Sequence, residues 1–178
     1  MQLPPDMCVE NTCFFTGHRF LSEAQKRQVY PSLVQCILQM SRDGILYFCD
    51  GGALGFDLLC AQTVALLRQS FQKDVRLILA LPCRNQTDKW LHYGKEGAES
   101  IRLYHTIKSH AAAVVYMRDL YEDGCMQERN QYMVDHSSRC ITYWNGSYKG
   151  GTAQTVRMAK RAGLPVWNLY PPVTPDRE

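Results

Sequence analysis

Short apolar runs alternate with longer stretches of helical periodicity along this chain. Residues 12–16 (TCFFT) have the aromatic and β-branched character of a strand. From 22 to 41, Leu33, Ile37 and Met40 recur at helical spacing, and Ser22 with Gln25 fits a capping box. Pro31 falls inside this stretch and marks either a kink or a boundary. Further strands are predicted over 45–49, 75–81, 111–117, 139–143 and 166–169. Further helices are predicted over 56–70, 91–109, 124–137 and 152–162, with a loop over 82–90. The run 75–81 is almost unbroken in its apolarity, as a strand covered on both faces must be.

This β–α alternation predicts an α/β, Rossmann-like three-layer sandwich. A mostly parallel sheet of five to six strands would carry helices on both faces. The 178 residues suit a single domain, 1–178, with a core of about 12–169 and a loose tail at 170–178 that holds three prolines. Net charge is +3, and no basic cluster forms outside helical patterns, which argues against nucleic acid as a partner. Eight cysteines occur without a C-x-x-C pair, and several lie in apolar runs. They read as reduced, packed thiols of a cytoplasmic protein, with no metal site and no required cofactor. The first ten residues lack the apolar core of a signal peptide, and no run reaches membrane-spanning length.

In a parallel sheet, ligands bind beyond the carboxyl ends of the strands. Thr16-Gly17-His18-Arg19 follows the first strand, and 50–57 (DGGALGFD) follows the second. Pro82 to Gln86 follow the third, and 145–152 (NGSYKGGT) follow the fifth. Two of these are glycine turns that run straight into a helix. Such a turn lets the backbone approach a ligand closely, and the first helical amides are unpaired and partly positive. The pattern points to a phosphate. Gly51, Gly52, Ala53, Gly55, Gly150, Gly151 and Thr152 are the expected cradle residues, with Gly17 and Pro82 beside them. A Walker loop and a G-x-G-x-x-G fingerprint are both missing.

Arg19 serves either as a two-pronged phosphate contact or as a structural cation. Asp57 either complements a helix dipole or binds a ribose hydroxyl or base edge, and His18 is a proton donor or a turn residue. Arg129 and Asn130 form either a ligand-facing pair or, through Glu122 or Asp135, a helix-packing ion pair. Trp90 and Tyr93 either stack on a base or belong to the core or a dimer surface. Cys83 lies in a suitable region for a nucleophile but has no evident base.

Five segments, in this order and spacing, resemble the YpsA-like branch of the SLOG superfamily, which includes the DprA and LOG families. They are TGHR at 16–19, GGALGFD at 51–57, LPC at 81–83 with Gln86 and Trp90, GCMQERNQYMVDHSS at 124–138, and GGTAQTV at 150–156. The resemblance implies a nucleotide-derived ligand: a nucleoside phosphate, an ADP-ribose-like molecule or an NAD relative. It also implies a bacterial, cytoplasmic setting and a homodimer. LOG enzymes cleave the base from nucleoside monophosphates with a P-G-G-x-G-T-x-x-E signature. Here Gly151-Thr152 matches its Gly-Thr step, but Thr155 stands at the glutamate position. Three functions follow for comparison. The first is a binding or sensing module. The second is a nucleotide-processing hydrolase using Asp57 with His18 or Arg129. The third, disfavoured by the weak charge, is single-stranded DNA binding.

Overall fold

Alternation along the first strand sets the architecture, because successive strand residues face opposite sides of a sheet. The computed structural model describes residues 2–71 and 73–171. Its elements run β1 (Thr12–Gly17), α1 (Glu23–Arg42), β2 (Tyr47–Asp50), α2 (Phe56–Phe71) and β3 (Arg76–Cys83). A short 3-10 helix (Asp88–Tyr93), α3 (Gly94–His110), β4 (Ala113–Arg118), α4 (Cys125–Asp135), β5 (Arg139–Tyr143), α5 (Gly151–Arg161) and β6 (Val166–Asn168) follow. All six strands pair in parallel in the order β4-β3-β2-β1-β5-β6. The fold is α/β and Rossmann-like.

Cys13 and Phe15 join the core under α1, α2 and α3, whereas Phe14 joins the core under α4 and α5. The first core takes Val29, Leu33, Ile37 and Met40 from one stripe of α1. Ser22 caps that helix: its Oγ accepts from the Gln25 amide, and the Gln25 side chain accepts from the Ser22 amide. Pro31 neither ends nor bounds α1. It lies on the exposed side of the helix.

Two predicted loops resolve differently. Pro82 lies inside β3, not after it. Pairing with β2 stops at Leu79, while pairing with β4 runs on to Cys83, so the proline stands where one neighbour has already ended. The helix expected from residue 91 begins instead at Gly94, after the 3-10 turn. The tail expected from residue 170 also begins later. Tyr170 packs on Tyr143, with ring centres 4.9 Å apart, and meets the edge of His18. Residues 172–178 of that tail lie outside the described residues. No helix among the described residues is long and apolar enough to cross a membrane.

Candidate functional site

Six parallel strands put all their carboxyl ends at one edge. The chain adds β2, β3 and β4 on one side of β1, then returns to add β5 and β6 on the other. The loops after β1 and β5 therefore part at this switch, and a crevice opens between them. Two bonds tie its walls. The Thr152 hydroxyl donates to the Gly17 carbonyl at 2.8 Å, and the Asn145 amide donates to His18 Nε2 at 3.0 Å. The His18 ring thus acts as a strut between the two loops.

The crevice is a cleft of about 440 Å³. It gathers most of the residues expected from the sequence: Gly17, His18, Arg19, Ala53, Asp57, Arg129, Asn130, Gly150, Gly151 and Thr152. Gly51, Gly52, Gly55 and Pro82 do not line it, and each has a packing reason. A Cβ on Gly51 would overlap the Arg129 guanidinium, and Gly55, at φ +80°, presses against the Arg19 carbonyl. Gly52 faces Leu81, and Pro82 is buried in its strand.

The first glycine turn also spends its amides on the chain itself. The Gly52 N–H donates to Asp50 Oδ1 at 2.6 Å, and the Phe56 N–H donates to the His18 carbonyl. The Ala53 amide faces the Asp57 carboxylate. Two cradles were expected, and this one is already filled by the protein's own acids.

The second turn is different. α5 starts at Gly151 without a side-chain cap, and its first bond to the preceding loop is from the Gln154 amide to the Gly150 carbonyl. Among the described residues, the amides of Gly151, Thr152 and Ala153 have no acceptor. Gly151 and Thr152 line the cleft, Ala153 is buried, and the helix start adds partial positive charge there. Exposed Lys149 and Arg19 flank them. Lys149 escaped the sequence reading, although its place immediately before Gly150-Gly151 was the available signal.

Beneath lies a buried charge cluster. Arg129 is 5% exposed and donates to the Gly51 carbonyl at 2.5 Å and to Asn130 Oδ1 at 2.7 Å. It is therefore a cleft-facing group. Glu122 instead approaches Arg118, and Asp135 accepts from Gln131. Burial pushes the Asp57 carboxyl up to about 6, against the pull of Arg129, the Ala53 amide, Arg19 and the Gly17 amide. Asp50, fully buried, is pushed well up by burial and by the charge of Asp57. One of its oxygens, Oδ2, is buried without a hydrogen-bond partner. Asp50 was missed because a strand-end aspartate before glycines reads as a turn residue.

Among the described residues, Asp57 is the one carboxylate that lines this cleft. Thr155, at the position where LOG enzymes carry glutamate, donates its hydroxyl to the Gly151 carbonyl. Cys83 is buried, and desolvation raises its thiol, so it is no ready nucleophile. Trp90 and Tyr93 line a second cavity of about 320 Å³, which adjoins the cleft through Arg19, Ala53 and Met126. Among the described residues, no group of three or more His, Cys, Asp or Glu side chains converges as metal ligands would.

Known proteins resemble this one in sequence and in shape. YoqJ, an uncharacterised SPbeta prophage-derived protein of Bacillus subtilis strain 168, is 28% identical over 138 residues, 70% of this chain and 76% of YoqJ. DNA processing protein A from Helicobacter pylori, described for its single-stranded DNA binding mode, superposes with a TM-score of 0.57 at 17% identity. That match covers 87% of this chain but 63% of the other, so this chain spans less than two thirds of that protein. The structure of TM1055 gives a TM-score of 0.53 at 14% identity, over 88% of this chain and 72% of its own. At such identities these two likenesses carry the fold alone. The family model of the YspA SLOG family, YpsA, matches residues 18–166. Matched from the loop after β1 to the first residue of β6, the chain belongs to the YpsA family of the SLOG superfamily.

Proposed function

We propose that this protein binds a phosphate-bearing, nucleotide-derived ligand in the cleft at the β1–β5 switch. The phosphate sits on the amides of Gly151, Thr152 and Ala153, with Lys149 and Arg19 supplying charge. The sugar lies over Asp57, Arg129 and Asn130. One observation carries this reading: a helix start with three unclaimed amides, whose first two residues line the cleft, is flanked by cations. Hydrogen bonds to a charged oxygen contribute about 1.5–3 kcal/mol each, so three of them support roughly micromolar binding.

Calorimetric titration with AMP, ADP-ribose and NAD tests it. At least one binds at micromolar strength, and Gly151→Pro weakens that binding while the fold stays intact. Binding that is indifferent to this substitution would place the phosphate elsewhere.

Asp57 favours a second reading. A buried carboxyl with a raised pKa, set in a cleft beside an arginine, is the kind of group that moves protons or steadies an oxocarbenium-like centre. Hydrolysis of the N-glycosidic bond would then follow binding. Incubation with nucleoside monophosphates, followed by chromatography for free base, separates the two. Base release that Asp57→Asn abolishes supports the hydrolase; tight binding of intact ligand supports the sensor.

A further inference from the structure

The second cavity has a chemistry of its own. Tyr93 and Tyr121 stand in its wall about half exposed, with Trp90 behind them. Flat aromatic faces beside a phosphate site are stacking platforms for a base. Gln86 and Asn85 supply the polar edge.

Gln86 is nine-tenths buried. Its Nε2 donates to the Gly52 carbonyl at 2.6 Å and to the Gly51 carbonyl at 3.3 Å. Those two acceptors fix which end of the amide is nitrogen. The other end, Oε1, is buried and has no hydrogen-bond partner. A buried acceptor left unpaired is unfavourable, so this atom is poised for a donor. Asn85 is oriented the opposite way: its Oδ1 accepts from the Tyr121 amide at 2.9 Å, which leaves Nδ2 as its free donor.

We infer that this second cavity is a base subsite for an adenine-type nucleobase, whose exocyclic amine donates to Gln86 Oε1 while Asn85 Nδ2 meets a ring nitrogen. A donor beside an acceptor is the pattern that the amino edge of adenine presents to an amide side chain. A 6-oxo base would set its oxygen against Gln86 Oε1, acceptor against acceptor. Reversal of the Gln86 amide would relieve that clash only by breaking its bonds to the two glycine carbonyls. The inference rests on the phosphate reading above, since the two cavities meet at Arg19, Ala53 and Met126.

Calorimetry of the full chain with AMP, IMP, adenosine and ribose 5-phosphate tests it. AMP is expected to bind about tenfold or more tightly than IMP. Tyr93→Ala, at a half-exposed position, is expected to weaken AMP by about tenfold and to leave ribose 5-phosphate unchanged. Gln86→Leu should abolish the AMP–IMP preference; if it unfolds the turn, Tyr93→Ala still decides. Equal binding of AMP, IMP and ribose 5-phosphate, unmoved by Tyr93→Ala, overturns the base subsite and leaves the phosphate reading standing. Adenosine that binds as tightly as AMP upholds the base subsite and overturns the phosphate reading. Failure of all four ligands to bind overturns both.

Discussion

Arg129 is the residue on which the cleft floor depends. Its guanidinium sits against Gly51 because any side chain there would occupy the same space. Gly51→Ala is expected to destabilise the fold by about 1–3 kcal/mol, read as a lower urea midpoint, by forcing the guanidinium out. Arg129→Met should also destabilise the fold, by about 1–3 kcal/mol, because it leaves the buried Gly51 carbonyl and Asn130 Oδ1 without their donor. Asp57 has its own pH signature. Its carboxyl holds a proton up to about pH 6 in the folded chain but only to about 4 when unfolded. Its stabilising effect is therefore complete below about pH 4 and is lost as pH rises through 6, by roughly 3 kcal/mol in all. Urea titrations from pH 4 to 7 should show that decline in the wild type and a flatter profile in Asp57→Asn. Parallel profiles would contradict the raised pKa. Of this cluster, Asp57 is legible in the first turn of the helix after β2, and Arg129 as a polar residue beside apolar Met133 on a helix. Their partnership through Gly51 was not, because it joins residues 78 apart in sequence.

Among the elements, α2 and α5 show why one glycine turn is open and the other closed. Both follow a strand and a glycine turn, so the sequence makes them look alike. What separates them is the neighbouring carboxyls. Asp50 and Asp57 bracket the first turn and face its amides, whereas among the described residues no carboxylate bonds to the amides that open the second. Gly151 is the first residue of α5, where proline is tolerated, and open space surrounds its Cβ direction. Gly151→Pro should therefore leave thermal unfolding nearly unchanged while weakening AMP about tenfold, the loss expected for one amide donor to a charged oxygen. The capping box at Ser22 and the stripe on α1 were fully legible because they are local patterns. Pro82 inside β3 was not, since its tolerance depends on where the neighbouring strand stops.

Across the whole molecule, the switch in strand order decides where chemistry can occur. The order of strands in the sheet cannot be read from β–α alternation, yet most of the cleft is legible in the sequence, because ligands sit at strand carboxyl ends. The charge pattern fits a small anion more closely than a polymer. Arg19 and Lys149 flank one cleft, and the chain carries a net charge of only +3. Filter binding to a single-stranded oligonucleotide should accordingly be weak at physiological salt. Tight binding with a steep salt dependence would instead align this chain with the function described for the Helicobacter pylori neighbour. The most direct measurement is a backbone amide chemical-shift titration of the labelled protein with AMP. Placing the phosphate on α5 predicts the largest shifts at Gly151, Thr152 and Ala153, with smaller changes at Gly51 and Gly52. The largest shifts at 51–53, with 151–153 unmoved, would contradict it.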